Sequence, residues 1–301
     1  MSAAKPSATA PRVPAAPGLE LLRSPRARIC FLLGRALAAL AWTLRIRLAV
    51  VLENLARAFP GESESARRLI ARQTYRALGV SLGEMLLARG ITDAQLEAWV
   101  SFEGFERYQQ AAALGRGVVV AIGHFGNWEL LGRACGRRGV KLSLIGRRLR
   151  GFWNRRLVAA RVESGMAQLA DRGSSAEALR RLRAGEVLAI AIDQNMREKR
   201  GVFVDFFGHP ACTTPAAAVY GLRAGAPIIA AFPVRQPDGS HRVQVLGPFE
   251  AGGRRGHAAV LEVTQQLTRA IEALIRDHPE QWFWLHRRWK TRPSAGTRSA
   301  K

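Results

Sequence analysis

Five short, almost uninterrupted apolar runs, spaced by amphipathic stretches, constrain this chain more than any other feature. They are residues 117–122 (GVVVAI), 141–145 (KLSLI), 187–192 (VLAIAI), 227–232 (PIIAAF) and 242–246 (RVQVL). A strand that is apolar on both faces has to be covered on both, which is the condition of a sheet wrapped by helices. Helical patterns fill the intervals near 127–138, 152–170, 175–184 and 214–224, with a final helix near 256–277. The expected fold is α/β: a central mixed, mostly parallel sheet flanked by helices over roughly residues 100–290. No internal repeat is visible.

Ahead of this region the pattern changes. Residues 1–26 are rich in Pro, Ala and Ser and are expected to lack fixed structure. Residues 27–51 (ARICFLLGRALAALAWTLRIRLAVV) are apolar but interrupted by Arg35, and Arg45 and Arg47 follow Trp42. A spanning helix needs about 20 predominantly apolar residues. This segment therefore reads as a short anchor or as an amphipathic helix lying in the interface, with Trp42 and the arginines at headgroup level. The alternative is a helix packed on the protein's own core. A cleaved signal peptide is disfavoured, since the apolar run starts late and no small-residue cleavage site follows. Residues 62–89 continue with helical spacing through Leu69, Ile70, Tyr75, Leu78, Leu82 and Leu86. The division expected is a tail at 1–26, a membrane-anchoring or interfacial helix at 27–51, a main domain at 52–293 and a basic tail at 294–301.

Lys and Arg number 46 against 23 acidic residues, a formal charge of +23. A field of that sign favours anionic partners: nucleic acid, lipid headgroups or an acidic protein. The basic residues are spread along the chain without helix-turn-helix or zinc-finger spacing, so nucleic acid is not the expected partner, and a basic nucleic-acid-binding protein is the alternative of another class. Cys30, Cys135 and Cys212 are odd in number and far apart, which supports neither a disulfide framework nor a zinc site and fits a reducing compartment. No phosphate-cradling or dinucleotide-binding glycine motif occurs, and no cofactor or metal is expected.

The stretch VVVAIGHFGNWELLG, residues 118–132, carries the chemistry. An apolar strand ends at Ile122, Gly123 and Gly126 flank His124, and a helical pattern starts near Asn127-Trp128. Active groups of α/β sheets gather at the carboxyl ends of strands. Glu129 follows five residues after the histidine, and across a loop-to-helix junction it can fold back to orient the imidazole as a general base. Such a pair can activate a substrate hydroxyl, and the glycines allow backbone amides near a developing oxyanion. A loop histidine bonded to a carboxylate for structural reasons has the same spacing.

His124-Phe-Gly-Asn-Trp-Glu129 resembles the His-x4-Asp/Glu motif of the lysophospholipid acyltransferase superfamily, in the wording of its lipid A late acyltransferase branch. Other segments agree in order. Asn54-Leu-Ala-Arg-Ala-Phe-Pro60 resembles the segment after the membrane helix, and Arg161 with Gly165 a downstream arginine element. Asp193-Gln194, Phe203-Val-Asp-Phe-Phe-Gly208 and Ala211-Cys-Thr-Thr214 resemble the stretch after the next strand. Pro279-Glu-Gln-Trp-Phe-Trp-Leu-His286-Arg-Arg-Trp-Lys290 resembles the C-terminal signature. The resemblance spans about residues 30–293. It implies transfer of a fatty acyl chain from acyl carrier protein to a hydroxyl of a lipid A precursor, an anionic glycolipid, at the cytoplasmic face of the inner membrane, without a metal. It places catalysis on His124 and Glu129 and substrate contacts on Asn127, Arg147, Arg148, Arg161, Asp193 and Gln194. The aromatic-Arg-Pro element frequent in the family is replaced here by Ile145-Gly-Arg147-Arg148-Leu, so phosphate contacts are not fixed to either arginine. Another glycolipid or a lysophospholipid is the alternative acceptor. A thioesterase, with water in place of the alcohol, is an alternative with the same base.

Three features compete for attention. Gly79-Val-Ser81-Leu-Gly83 fits a nucleophile elbow in letters, but Ser81 lies inside a helical run with no strand before it. His209, His241, His257 and His278 lack ligand spacing and read as surface or core-satisfied. The cluster 282–290 interleaves Trp282, Phe283, Trp284 and Trp289 with His286, Arg287, Arg288 and Lys290. It reads either as an interfacial belt or as an aromatic core with a solvated basic edge.

Overall fold

The computed structural model describes residues 19–146, 158–159, 161–171 and 173–294. Residues 1–18 of the tail expected at 1–26, the last residues from 295, and Arg147 and Arg148 lie outside the described residues; the rest of that tail is not structureless, since Leu19–Arg23 forms a 3-10 turn and α1 begins at Pro25.

The N-terminal part is helical. Helix α1 (Pro25–Thr43) is capped by the Ser24 hydroxyl and has proline in its first turn, where the missing N–H costs nothing. Arg45 and Arg47 take left-handed backbone conformations, and the chain turns by 86° into α2 (Leu48–Ala58). Helix α3 (Glu64–Leu87) starts on a Ser63 cap. It packs closely along α1 because glycine faces glycine: a Cβ on Gly34 would stand 2.0 Å from the carbonyl oxygen of Gly79. No single helix among the described residues is long and apolar enough to cross a membrane. The bent pair α1–α2 has the combined length and composition.

After α4 (Asp93–Trp99) the sheet begins. Its strands are β1 (Val100–Glu103), β2 (Val118–Ile122), β3 (Leu142–Gly146), β4 (Met166–Ala170), β5 (Val187–Ala191), β8 (Ile228–Arg235) and β9 (His241–Leu246), in the order β1-β9-β8-β2-β5-β3-β4. From β8 through β4 all neighbours are parallel; β9 runs antiparallel to β8, and β1 parallel to β9. The sheet is mixed and mostly parallel, as its near-continuous apolar strands required. A separate hairpin pairs β6 (Val202–Phe206) with β7 (His209–Thr213).

Alternate residues of the central strands bury into two cores. Val119, Ala121, Leu188, Ile190 and Ala230 face one side, beneath α8 (Ala216–Ala224) and α9 (Gly256–Asp277), together with the aromatics Phe206, Trp282 and Trp284. Val118, Val120, Ala189, Ile229 and Ala231 face the other, beneath α4 and α6 (Trp128–Arg137), with α5 (Phe105–Ala113) alongside. Helix α7 (Ser175–Arg183) leads into β5.

The expected helix over 152–170 needs correction. Met166–Ala170 is strand β4, paired with β3. Gly165, at φ +78°, breaks the preceding helical turn, and strand pairing takes over from there. The cluster 282–290 resolves to aromatic core: Trp282, Trp284 and Trp289 are buried, Arg288 is buried on the Cys212 carbonyl and the Thr213 hydroxyl, and Arg287 and Lys290 stay exposed.

Candidate active site

Strands β2 and β5 are parallel neighbours in register Ile122↔Ala191. Two residues beyond that pair, at the carboxyl ends of both strands, stand His124 and Asp193. The register alone brings them together across 69 positions of sequence. His124 Nδ1 lies 2.8 Å from Asp193 Oδ1, and the backbone N–H of His124 donates to Oδ2 at 2.7 Å. The indole N–H of Trp282 donates to the same Oδ2 at 2.8 Å. The Asp193 side chain is 2% exposed and that of His124 25%. The carboxylate therefore stands behind the ring and the ring faces outward. With Nδ1–H donating to Asp193, Nε2 keeps its lone pair and accepts from the Gln194 amide at 3.3 Å.

The expectation that Glu129 orients the imidazole is not what the geometry gives. Glu129 sits in the first turn of α6 and both its carboxylate oxygens are taken by Arg161, from Nε at 3.0 Å and from Nη2. The Trp128 indole donates to it as well, at 3.1 Å, and Arg161 Nη1 reaches Gln168 at 3.1 Å. A bidentate guanidinium competes better for a carboxylate than an imidazole across a turn does. Glu129 acts on His124 through its field instead. Burial pushes the imidazole pKa down; the charge and hydrogen bond of Asp193, and the charge of Glu129, more than offset this, Arg161 opposing, so the net direction is up from 6.5. Burial works upward on Asp193, yet the attraction of His124 and the bonds from His124 and Trp282 hold its carboxyl at about 2.

Of the other residues the sequence pointed to, Gln194 is at the ring. Asn127 is buried, not facing solvent: its side chain caps α6 by accepting from the Leu130 N–H at 3.1 Å and donates to Glu84 at 2.9 Å. Asp193 likewise spends its bonds inside the protein. Ser81 is inside α3, donating weakly to the Gly126 carbonyl and accepting from Arg235 at 2.6 Å, as expected of a residue that is not a nucleophile. His241 is fully buried on Glu84, at 3.0 Å.

The loop that bears His124 is clamped on several sides. Gly126 adopts φ +56°, and a Cβ there would stand 1.9 Å from the Pro233 carbonyl oxygen, so no other residue fits without moving β8. Its N–H donates to the Gln281 carbonyl at 2.9 Å, and the Phe283 N–H donates to the His124 carbonyl at 3.0 Å. Beneath lies a buried polar network that sequence reading missed. Glu84 on α3 receives two hydrogen bonds of 2.7 Å from Arg235 on β8, besides those of Asn127 and His241. Burial raises this carboxyl, but Arg235 and His241 overcome it and hold the pKa at about 2. His286 accepts from the Asn195 N–H at 2.7 Å and is kept neutral, its pKa lowered to about 4, chiefly by burial.

Beside the imidazole an apolar cleft runs between the sheet and α5–α6. Val120, Ala189 and Ala231 form its floor, Phe105, Tyr108, Gly132, Cys135 and Met166 its walls. Glu129 and Arg161 line it too. The Trp128 ring joins the two features: it lines the cleft and meets the His124 ring edge-on at 5.0 Å between centroids. A base at the edge of a narrow apolar cleft, with an ion pair beside it, is suited to reactions of a long hydrocarbon chain whose polar end stays near the base.

A family profile described as bacterial lipid A biosynthesis acyltransferase matches residues 19–291. The chain belongs to that family. The enzyme is 28% identical over 267 residues to the Lipid A biosynthesis lauroyltransferase of Escherichia coli strain K12, covering 88% of this chain and 86% of the relative. To the Lipid A biosynthesis palmitoleoyltransferase of the same strain it is 28% identical over 268 residues, 88% of this chain and 86% of the relative. To the Phosphatidylinositol mannoside acyltransferase of Mycobacterium tuberculosis it is 25% identical over 191 residues, 62% of this chain and 58% of the relative. The acyltransferase thus shares its family over nearly all the residues that build the cleft and the His124–Asp193 pair.

Proposed function

We propose that this acyltransferase moves a fatty acyl chain from acyl carrier protein to a hydroxyl of a lipid A precursor, at the cytoplasmic face of the inner membrane, with His124 as general base. The observation that carries the reading is an outward-facing imidazole, backed by a buried carboxylate, at the edge of an apolar cleft. Nε2 takes the proton of the acceptor hydroxyl as its oxygen attacks the thioester carbonyl. Asp193 keeps Nδ1 protonated and stabilises the imidazolium. As the C–S bond breaks, the imidazolium returns the proton to the departing thiolate. The acyl chain occupies the cleft, and Arg161, fixed by Glu129 and Gln168, sets a cation beside its polar end. The net charge of +23 suits both an acidic carrier protein and an anionic acceptor.

Supplying purified acyl carrier protein thioester with a lipid A precursor, with a phosphatidylinositol mannoside, or with no acceptor tests this. Transfer is expected to the first. Transfer to the second alone assigns another glycolipid, and thioester hydrolysis indifferent to any acceptor assigns a thioesterase.

The base must be neutral to act, and its pKa lies above 6.5. The rate is therefore expected to fall as pH drops through a value above 6.5, where the imidazole becomes protonated. In Asp193→Asn the main raising influence is gone, so the acid limb moves to lower pH while the maximum rate drops. A pH profile of kcat/KM for both proteins checks this, and coincident acid limbs contradict it.

The cleft also makes a prediction about chain length. A Cβ on Gly132 would already stand 2.5 Å from Met166 Sδ. Gly132→Leu is expected to fill the cleft and shift the transferred chain towards fewer carbons, read by mass spectrometry of the product from mixed thioesters. An unchanged spectrum with an unchanged rate places the chain elsewhere.

A further inference from the structure

A second cleft, whose lining includes neither His124 nor a residue of its loop, lies between α1 and α3. It is lined by Arg35, Trp42 and Thr43 from the first and by Arg72, Tyr75 and Arg76 from the second. The three arginines are exposed, and none has an acidic or carbonyl partner among the described residues. The cleft's aromatic wall is rigid. Trp42 packs edge-on against Tyr75 at 5.4 Å, and the Tyr75 hydroxyl is tied to the Ile46 carbonyl.

The outer surface of α1 runs alongside. Ile29, Leu32, Leu33, Leu37 and Leu40 fall on one side of the helix, Leu44 follows at its end, and each is more than half exposed. A helix with such a stripe, not long and apolar enough by itself to span, suits an interface with its cations at headgroup level. In that position Arg35, Arg72 and Arg76 meet the layer of phosphates, which planar guanidinium groups bind through paired hydrogen bonds.

We propose that the α1–α3 cleft binds the phosphate of an anionic phospholipid headgroup of the surrounding bilayer, through Arg35, Arg72 and Arg76. The proposal rests on the reading of α1 as an interfacial helix. The bilayer's own lipid is favoured over the acceptor's phosphate because α3 presents its two contacts on different faces. Ser81 and Glu84 reach the loop of His124, whereas Arg72 and Arg76 line the cleft shared with α1. Occupancy would seat the enzyme on the membrane and hold α3, the helix that buttresses the catalytic loop, at a fixed depth.

The test is flotation of the full-length enzyme with phosphatidylcholine vesicles, with and without phosphatidylglycerol. The triple variant Arg35→Gln, Arg72→Gln, Arg76→Gln is compared with Arg183→Gln, Arg223→Gln, Arg269→Gln, which removes the same charge from exposed arginines elsewhere. The cleft variant is expected to lose about tenfold or more of its partitioning onto phosphatidylglycerol vesicles and none of that onto phosphatidylcholine. The control variant and the KM for the lipid acceptor in detergent should be unchanged. Equal losses in both variants, or none in either, overturn the site and leave interfacial binding standing. A raised acceptor KM with unaltered flotation overturns it in favour of the acceptor's phosphate. A wild-type enzyme that floats with neither vesicle removes the interfacial reading itself.

Discussion

His124→Ala is expected to lower acyl transfer by about 10²-fold or more, with kcat and kcat/KM falling together, because the lost interaction exists only while the hydroxyl proton moves. The side chain is partly exposed and its removal leaves no large void, so thermal unfolding should be little changed. Asp193→Asn should cost a comparable factor by a different route. The asparagine keeps the shape but no longer fixes the Nδ1–H tautomer or stabilises the imidazolium, and Trp282 loses a charged acceptor. Glu129→Ala frees Arg161 from its two-point hold and withdraws a field that favours the imidazolium. Its expected signature is a smaller kcat with a raised KM for donor or acceptor. Single-turnover rates for the three variants separate these cases. A His124→Ala enzyme that retains wild-type rate removes the base from the mechanism.

Glu84→Ala should carry the largest penalty on folding. Its carboxylate is buried and receives hydrogen bonds from Arg235, Asn127 and His241. Removing one partner of a buried pair leaves the other charge uncompensated, typically at about 3–5 kcal/mol. The loss should appear as a lower urea midpoint. Arg235→Met combined with Glu84→Leu should recover part of it, since the double change leaves no orphaned charge. The same carboxyl gives a pH signature. It is held at about 2 against 4.5 when free, so its contribution is in place above 4.5 and drains away as pH falls from 4.5 towards 2. An unfolding midpoint unmoved by Glu84→Ala would show that the network is solvated.

The strands legible in the sequence were those in the middle of the sheet. Residues of β2, β5 and β8 are buried on both faces, so their apolar runs are nearly continuous. The two sheet strands that pattern reading missed, β1 and β4, are the two edges. An edge strand has one neighbour and less cover, and so it tolerates Ser101, Glu103 and Gln168. Gln168 then becomes useful, as the acceptor that steadies Arg161. Hairpin β6–β7 escaped for the same reason, being outside the main sheet.

The site was half legible. A histidine between glycines, after an apolar strand and before a helical pattern, can be located by eye, because strand ends and loop glycines are local signals. Its partner is not local. Nearness along the chain favoured Glu129, whereas nearness in the sheet belongs to Asp193, which stands at the same offset from the end of β5 as His124 does from the end of β2. Reading the two strand ends side by side would have paired them. Nothing in the sequence marked Glu84 or Arg235, since a lone acid in a helix and a lone arginine ending a strand are ordinary surface residues until the fold buries them.

Transfer by His124 onto a lipid A precursor is tested by mass spectrometry of lipid A from cells that carry an under-acylated precursor and express either this enzyme or its His124→Ala variant. A mass gain of one acyl chain is expected with the first and none with the second. An equal gain with both, or none with either at matched protein levels, would contradict it.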